Sequence, residues 1–397
     1  VTRPLRTLLA AVVALGVLAA AGPALAVSRP AKVGMVSFVG ASLTSSGASL
    51  TITWPKTSGA SSYEVFISPS YDRVLDASVY KRTTATTITL SGLKAGQSYF
   101  LQVRGKNSAG VGSRSSRVGH TTIYKHSMVS RTPFRVMTFN LCSEAAGCST
   151  PWSWTTRRPA ILERISAVNP DILTLQESIS LASTDAKQKA STVLTGYVRA
   201  EYSNSKSLYF RDARFDLASR GDVPRTGSIS LGNGRYAVWA ELVDAQNAGQ
   251  HIIAVSVHLS PGKTDTAAAQ RKTETTKLLT SLGTINDDGL NVVIGGDFNS
   301  HKNRTNDTVG PVMKSFGYRD AYDLTEKLIN QHFNSYNGYE TTPVTSMKWG
   351  DHVDHVWVKP ELSRVTRWAQ HGLRSGSKYA TPIPSDHHAV SVDVRLQ

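Results

Sequence analysis

The pattern of apolar and polar positions changes once along the chain. Between about residues 32 and 122, short runs alternate with period two and are cut by Gly, Ser and Pro. Examples are Ser49-Leu50-Thr51-Ile52-Thr53-Trp54, Tyr63-Glu64-Val65-Phe66-Ile67 and Tyr99-Phe100-Leu101-Gln102-Val103-Arg104. Such alternation without a helical period predicts an antiparallel sandwich of about seven strands. From residue 134 strands and helices alternate. Residues 134–141 and 171–177 read as strands, 157–168 as a helix with Ile161, Ile165 and Val168 on one face, ended by Asn169-Pro170. Further strands are expected over 237–242, 252–259, 352–358 and 389–394, and a helix over 266–282. Several strands are consecutive, which predicts an α/β sandwich with mixed sheets rather than a doubly wound sheet.

Residues 291–300 read N-V-V-I-G-G-D-F-N-S. Val292, Val293 and Ile294 do not alternate with polar residues, as in a strand buried on both faces. Gly295-Gly296 predict a sharp turn ending that strand. Asp297 and Asn299 follow two residues apart, so both can point to one side.

Composition then narrows the setting. The length suggests two domains, and a charged content of 18% fits a globular protein. Arg3 and Arg6, an apolar run over 8–21 and Ala24-Leu25-Ala26 form a secretory signal peptide over 1–26, which predicts a secreted, extracellular protein with no transmembrane segment. In that setting Cys142 and Cys148 are expected to form a disulfide closing a small loop. Net charge is +15, and residues 27–130 hold 12 Lys and Arg against 3 Asp and Glu. The first folded region is therefore the basic one, and nucleic acid, anionic lipid or cell-wall polyanions suit it as partners.

The predicted strand ends carry the chemistry: Asn140, Glu177, His258, Asp297 with Asn299, and Asp354, followed by Ser385-Asp386-His387-His388 before the last strand. Strand ends meeting at one sheet edge are where α/β folds place their sites. Oxygen donors such as Asn140, Glu177 and Asp386 suit a hard cation better than zinc: Mg²⁺, with Mn²⁺ or Ca²⁺ as alternatives. Histidines beside carboxylates suit proton transfer near neutral pH. These are the parts of a metal-assisted phosphodiester hydrolase.

Two resemblances follow from the motifs. Residues 27–122 resemble a fibronectin type III domain through Trp54, Tyr63, the Leu93-to-Tyr99 stretch that matches the tyrosine corner, and Asn107-Ser108-Ala109-Gly110-Val111-Gly112. That implies an immunoglobulin-like sandwich serving as a binding or spacer module, joined by a linker over 123–133. Residues 134–397 resemble the endonuclease/exonuclease/phosphatase superfamily, the fold of pancreatic-type deoxyribonuclease. The matching stretches are Thr138-Phe139-Asn140, Leu175-Gln176-Glu177, Val257-His258-Leu259, Gly296-Asp297-Phe298-Asn299-Ser300, Val353-Asp354-His355 and Ser385-Asp386-His387. The resemblance implies a four-layer sandwich of two mixed sheets flanked by helices. It also implies roles. Glu177 would bind the metal, with Asn140 and Asp386 completing or steadying its shell. His387, held by Asp354, would activate water, or Asp297 would orient or deprotonate it. Asn299 would hold a phosphate oxygen, and His258 would stabilise or protonate the leaving oxygen. Arg235, Tyr236 and Tyr209 are expected at the site edge.

Three functions compete on this reading. The favoured one is an exported Mg²⁺-dependent nuclease acting on DNA as a monomer, with the basic module adding grip. The second is a phospholipid phosphodiesterase of the sphingomyelinase kind, for which Trp152 and Trp154 would form a membrane-inserting hairpin; covering the core is the simpler role for them. The third is an adhesion protein whose second domain has lost catalysis.

Overall fold

The computed structural model describes residues 27–44, 47–122, 132–144, 148, 150–183 and 193–396. The expected signal peptide and most of the expected linker lie outside the described residues. The first region is a two-sheet sandwich. Ser37–Thr44, Gly47–Thr53 and Thr87–Leu93 form one sheet; Lys81–Thr83, Ser62–Ser68, Ser98–Asn107 and Gly110–Val111 form the other, with Val118–Thr121 also paired to Ser98–Asn107. Alternate residues Leu50, Ile52, Tyr63, Val65, Leu101 and Val103 face inward and are buried, which is what the period-two pattern requires. Trp54 packs edge-on to Tyr63 at 5.3 Å. The Tyr99 hydroxyl accepts a 3.1 Å hydrogen bond from the Lys94 amide, tying the corner back to the chain.

The second region has four layers. One seven-stranded sheet runs in the order Tyr197–Ser203, Lys206–Arg211, Ile172–Gln176, Phe134–Asn140, Val390–Leu396, Ser363–Gln370, Leu328–Ile329. The other centres on Arg235–Asp244, Gln250–His258, Asn291–Asp297 and Asp354–Val358. Parallel and antiparallel pairs are mixed: Phe134–Asn140 runs parallel to Ile172–Gln176, and Gln250–His258 parallel to Asn291–Asp297. The helix Trp154–Val168 covers the outer face of the first sheet through Ile161 and Ile165 against Met137, Phe139, Leu173 and Leu175. Ser153 caps its start, and Asn169, left-handed, ends it. The helix Asp265–Ile285 covers the second sheet through Leu278 and Leu282 against Ile253, Val255 and Ile294.

One expectation is corrected here. The strand does not end at Gly295-Gly296 but continues to Asp297. These glycines serve close packing. A methyl group at Gly295 would lie 2.3 Å from Thr174 Oγ1 on the facing sheet, so glycine lets the two sheets approach at their site end. Gly295→Ala is expected to destabilise the fold by about 1–3 kcal/mol through overpacking. A urea melt of the single variant and of the Gly295→Ala/Thr174→Ala pair checks this: the pair should recover part of the loss.

The sandwich also docks on the second region. His332 Nε2 donates to the Val36 carbonyl at 2.7 Å, and the Gly119 amide donates to the Lys348 carbonyl at 3.1 Å. His120 stands edge-on to Tyr322 at 6.2 Å, and Phe100 edge-on to Trp349 at 5.4 Å. The core of the sandwich and the core between the two sheets form one continuous apolar cluster.

Candidate active site

The two inner sheets end together, and the strand ends deliver Asn140, Glu177, His258, Asp297 and Asp354 to one edge. Glu177 and Asn299 both adopt left-handed backbone conformations, with φ of 48° and 50°. For Glu177 that geometry is sterically costly, and such strain concentrates at functional positions. Between the sheets just below, Gln176 Nε2 donates to Ser256 Oγ at 3.1 Å, satisfying polar groups that the dry interior would otherwise penalise.

Asp297 is the hub. Its Oδ1 accepts the Asn299 amide at 2.9 Å. Its Oδ2 meets Asn140 Nδ2 at 3.2 Å, His258 Nε2 at 3.3 Å and His387 Nε2 at 3.6 Å. His387 Nδ1 is held by Asp354 Oδ2 at 2.8 Å, which fixes the ring with Nε2 towards Asp297. Asn140 donates to Glu177 Oε1 at 3.1 Å. Its Oδ1 is occupied by the Cys142 amide at 3.0 Å, and since an amide N–H can only donate, the orientation of Asn140 is settled. Asn140 therefore steadies Glu177, while Glu177 and Asp386 face the open cleft.

That cleft, of about 570 Å³, is lined by Glu177, Arg235, His258, Asp297, Asn299, Asp386 and His387. Arg235 thus lies at its edge, and Tyr236 does not line it. Tyr209 departs from expectation. It is fully buried on the helix-covered face of the first sheet among Leu173, Leu175 and Ile161, away from the cleft. The alternation of its strand turns that side chain to the outer face of the sheet. Strand-end patterning also leaves out Arg304 and Tyr336, which line the cleft, and the buried Lys206. Arg304 donates to the Asn299 carbonyl, and the Tyr336 ring stands 5.0 Å from His387. The basic run after Ser300 is a signal for Arg304; nothing local marks Tyr336, which arrives from a long irregular stretch. His355 braces the same loop, with Nδ1 on Asp320 at 2.8 Å and Nε2 donating to the Ser300 carbonyl at 2.9 Å. Burial disfavours its charge, but Asp320 outweighs that and pushes it up to about 9, so both nitrogens donate.

Burial raises the Glu177 carboxyl above its ordinary value against the Asn140 hydrogen bond, with Asp386 adding to the rise. Burial likewise carries Asp297 up to about 7, against the pull of His387. Burial lowers His258 well below its usual value, aided by Arg235, so it is a neutral donor. For His387 burial is outweighed by Asp354 and Asp297, which raise it well above its usual value. Burial, then Arg235, lowers Lys206 to about 8.

Among the described residues, two groups of side chains have ligand atoms within 4.8 Å of one another: Cys142, Cys148 and Glu177, and Asp297, Asp354 and His387. In the first, the sulfurs are joined as a disulfide and carry no thiolate charge, which leaves Glu177 as the one candidate donor of the three. In the second, Asp354 is already committed to His387. Of the carboxylates lining the cleft, Asp297 is engaged by Asn140, His258 and His387, which leaves Glu177 and Asp386 as hard oxygens whose shared charge a divalent cation would offset. The residues present fit such an ion.

The model of the endonuclease/exonuclease/phosphatase family matches residues 137–387, and that of the fibronectin type III domain matches residues 36–121. No curated protein matches the chain. Among solved structures, the human Nocturnin catalytic domain with bound sulfate anion is 23% identical with a TM-score of 0.49, over 68% of this chain and 96% of that one. An endonuclease/exonuclease/phosphatase family protein from Bacteroides thetaiotaomicron is 17% identical with a TM-score of 0.48, over 66% and 97%. Truncated TDP2 from Caenorhabditis elegans is 19% identical with a TM-score of 0.44, over 66% and 97%.

Proposed function

This chain belongs to the endonuclease/exonuclease/phosphatase family, and from that premise we propose that it is an exported, Mg²⁺-dependent nuclease cleaving DNA by attack of water on phosphate. The observation that carries the reading is the Asp297–His387–Asp354 array beside the Glu177 and Asp386 carboxylates, in a cleft edged by Arg235 and Arg304. Glu177 and Asp386, with Asn140 steadying Glu177, would hold the cation, whose chemistry is to polarise the phosphate and offset charge on it.

The rest falls to the chain itself. Asp297 Oδ2 and His387 Nε2, 3.6 Å apart, act as one proton-accepting unit for the attacking water, and Asp354 fixes the far nitrogen of the ring. His258, neutral, donates a hydrogen bond to the leaving oxygen rather than a proton. Asn299 and Arg304 hold non-bridging phosphate oxygens, the guanidinium being suited to that geometry. A polymeric substrate is favoured over a lipid by the surface. Among the described residues, exposed large apolar side chains are scattered, and Tyr336 alone of these lines the cleft. Trp152 packs on Tyr339 instead of standing free.

Nicking of supercoiled plasmid by the purified protein in Mg²⁺, with and without EDTA, tests the reading. Cutting that EDTA abolishes is expected; absence of cutting by folded, Mg²⁺-supplied protein would remove DNA as the substrate.

A further inference from the structure

We propose that the cleft continues across the domain boundary as a track for the nucleic-acid strand flanking the scissile phosphate, along the outer face of the sandwich's larger sheet. This rests on the nuclease reading for the identity of the polymer. The track itself stands on a chain of contacts.

Arg304 lines both the cleft and an adjoining hollow of about 260 Å³, which also contains Lys302. Lys302 Nζ lies 4.1 Å over the Trp349 ring. Trp349 meets Phe100 of the sandwich at 5.4 Å, and Phe100 meets Tyr71 at 5.4 Å. Over Tyr71 lie Arg117 Cζ at 3.6 Å and Lys348 Nζ, from the second region, at 4.5 Å. On the same sheet face, Arg114 and Arg104 stack over Phe66 at 3.6 and 5.0 Å. Beyond them Arg82, Arg104 and Lys106 surround the single carboxylate of Glu64, at 3.1, 2.7 and 4.0 Å. Three cations on one acid leave positive charge unbalanced at the far end.

The cations divide into two kinds. Arg114 spends its donors on the Val74, Leu75 and Ala77 carbonyls and builds the face. Arg117 is committed to the Tyr71 carbonyl and Asp72, and Lys302 to Asp323. Arg82 gives only its Nε to Glu64 and keeps its side chain 67% exposed, and Lys106 keeps 48%, so both have donors left for phosphates. From Phe100 to Lys106 the strand extends about 20 Å. At roughly 3.4 Å of rise per nucleotide along one strand of a duplex, that length matches about six phosphates beyond the domain boundary. Arg104, fixed between the Phe66 ring and Glu64, loses little side-chain freedom on binding.

The test measures binding without cleavage. Anisotropy of labelled 8-bp and 30-bp duplexes, in EDTA and across 50–200 mM salt, compares the full chain with Arg82→Ala/Lys106→Ala. Arg104 remains on Glu64, and a melting curve checks the fold. The 30-bp affinity should fall about 5–20-fold at low salt, with the salt slope shallower by about 2, while 8-bp binding stays unchanged. Hydrolysis of bis(p-nitrophenyl) phosphate in Mg²⁺ should also be unchanged. Equal loss on both lengths, or no loss on the long duplex, overturns the track. The two readings fail separately. Plasmid cutting with no effect of the double variant sinks the track alone. Length-dependent binding without any cutting keeps the track and sinks the nuclease.

Discussion

His387→Ala is expected to lower plasmid nicking by about 10²–10⁴-fold with little change in KM, the range for losing a positioned proton-transfer group. Its Nε2 faces Asp297 and its Nδ1 is held by Asp354, so alanine removes half of the proton-accepting pair and leaves Asp354 buried without its partner. Among the described residues Asp354 Oδ1 has no hydrogen-bond partner even in the intact site, so the variant must be checked by thermal melting before its rate is read. The wild-type rate should rise with pH through neutrality, because Asp297, raised to about 7, must give up its proton to accept another. Asp354 is the largest influence holding the His387 pKa up. Asp354 also helps raise Asp297, so Asp354→Asn should lower both groups and move the acidic limb of the pH–rate profile to lower pH. A His387→Ala enzyme with full kcat, or an unmoved limb in Asp354→Asn, would end this assignment.

Mg²⁺ should stabilise the fold, and more so at pH 8 than at pH 6. Glu177 and Asp297 have folded-state values above their ordinary ones. The metal-free folded protein then holds these protons longer than the unfolded chain does. Their favourable contribution is present at acid pH and is lost as pH rises through about 7 for Asp297. His387, raised by its carboxylate neighbours, acts in the same direction: stability present below its unfolded value is lost as pH climbs through its raised folded value. A cation bound at Glu177 and Asp386 offsets that crowding of charge and competes with the protons, so its effect grows with pH. At about a hundredfold excess over Kd the gain is about 2.7 kcal/mol. For a chain of this size that is roughly 3–5 °C in Tm. Melts with and without Mg²⁺ at both pH values check it, with Glu177→Gln as the control. An equal shift in that variant would move the cation site elsewhere.

Much of the site is legible in the amino-acid sequence because its residues sit at the ends of strongly patterned strands. A buried strand announces itself by its apolar run, and the polar residue that stops it is conspicuous; Glu177, His258 and Asp297 are of this kind. Tyr209 misleads because it lies on a strand next to those that carry the site, yet strand alternation takes its ring to the helix side. Gly295-Gly296 mislead because a glycine pair suggests a turn, whereas here the demand is for space against Thr174. Arg304, Tyr336 and His355 act through contacts with Asn299, His387 and Ser300, and two of the three come from segments remote in the chain.

The period of the apolar positions is enough to settle the two kinds of domain, and the residues that end the strands mark Asn140, Glu177, His258, Asp297 and Asp354, though not Arg304 or Tyr336. These are local properties, since backbone sterics and side-chain burial set them within a few residues. Three-dimensional packing was needed for the rest. It makes Asp297 a shared partner of Asn140, His258 and His387, and it has Asn140 steady Glu177 instead of opening to the cleft. It also docks the sandwich on the second region through Val36, Gly119 and Phe100. Those facts depend on distances between groups far apart in the chain. Such distances follow from how two sheets and two domains pack as wholes, which no local pattern encodes.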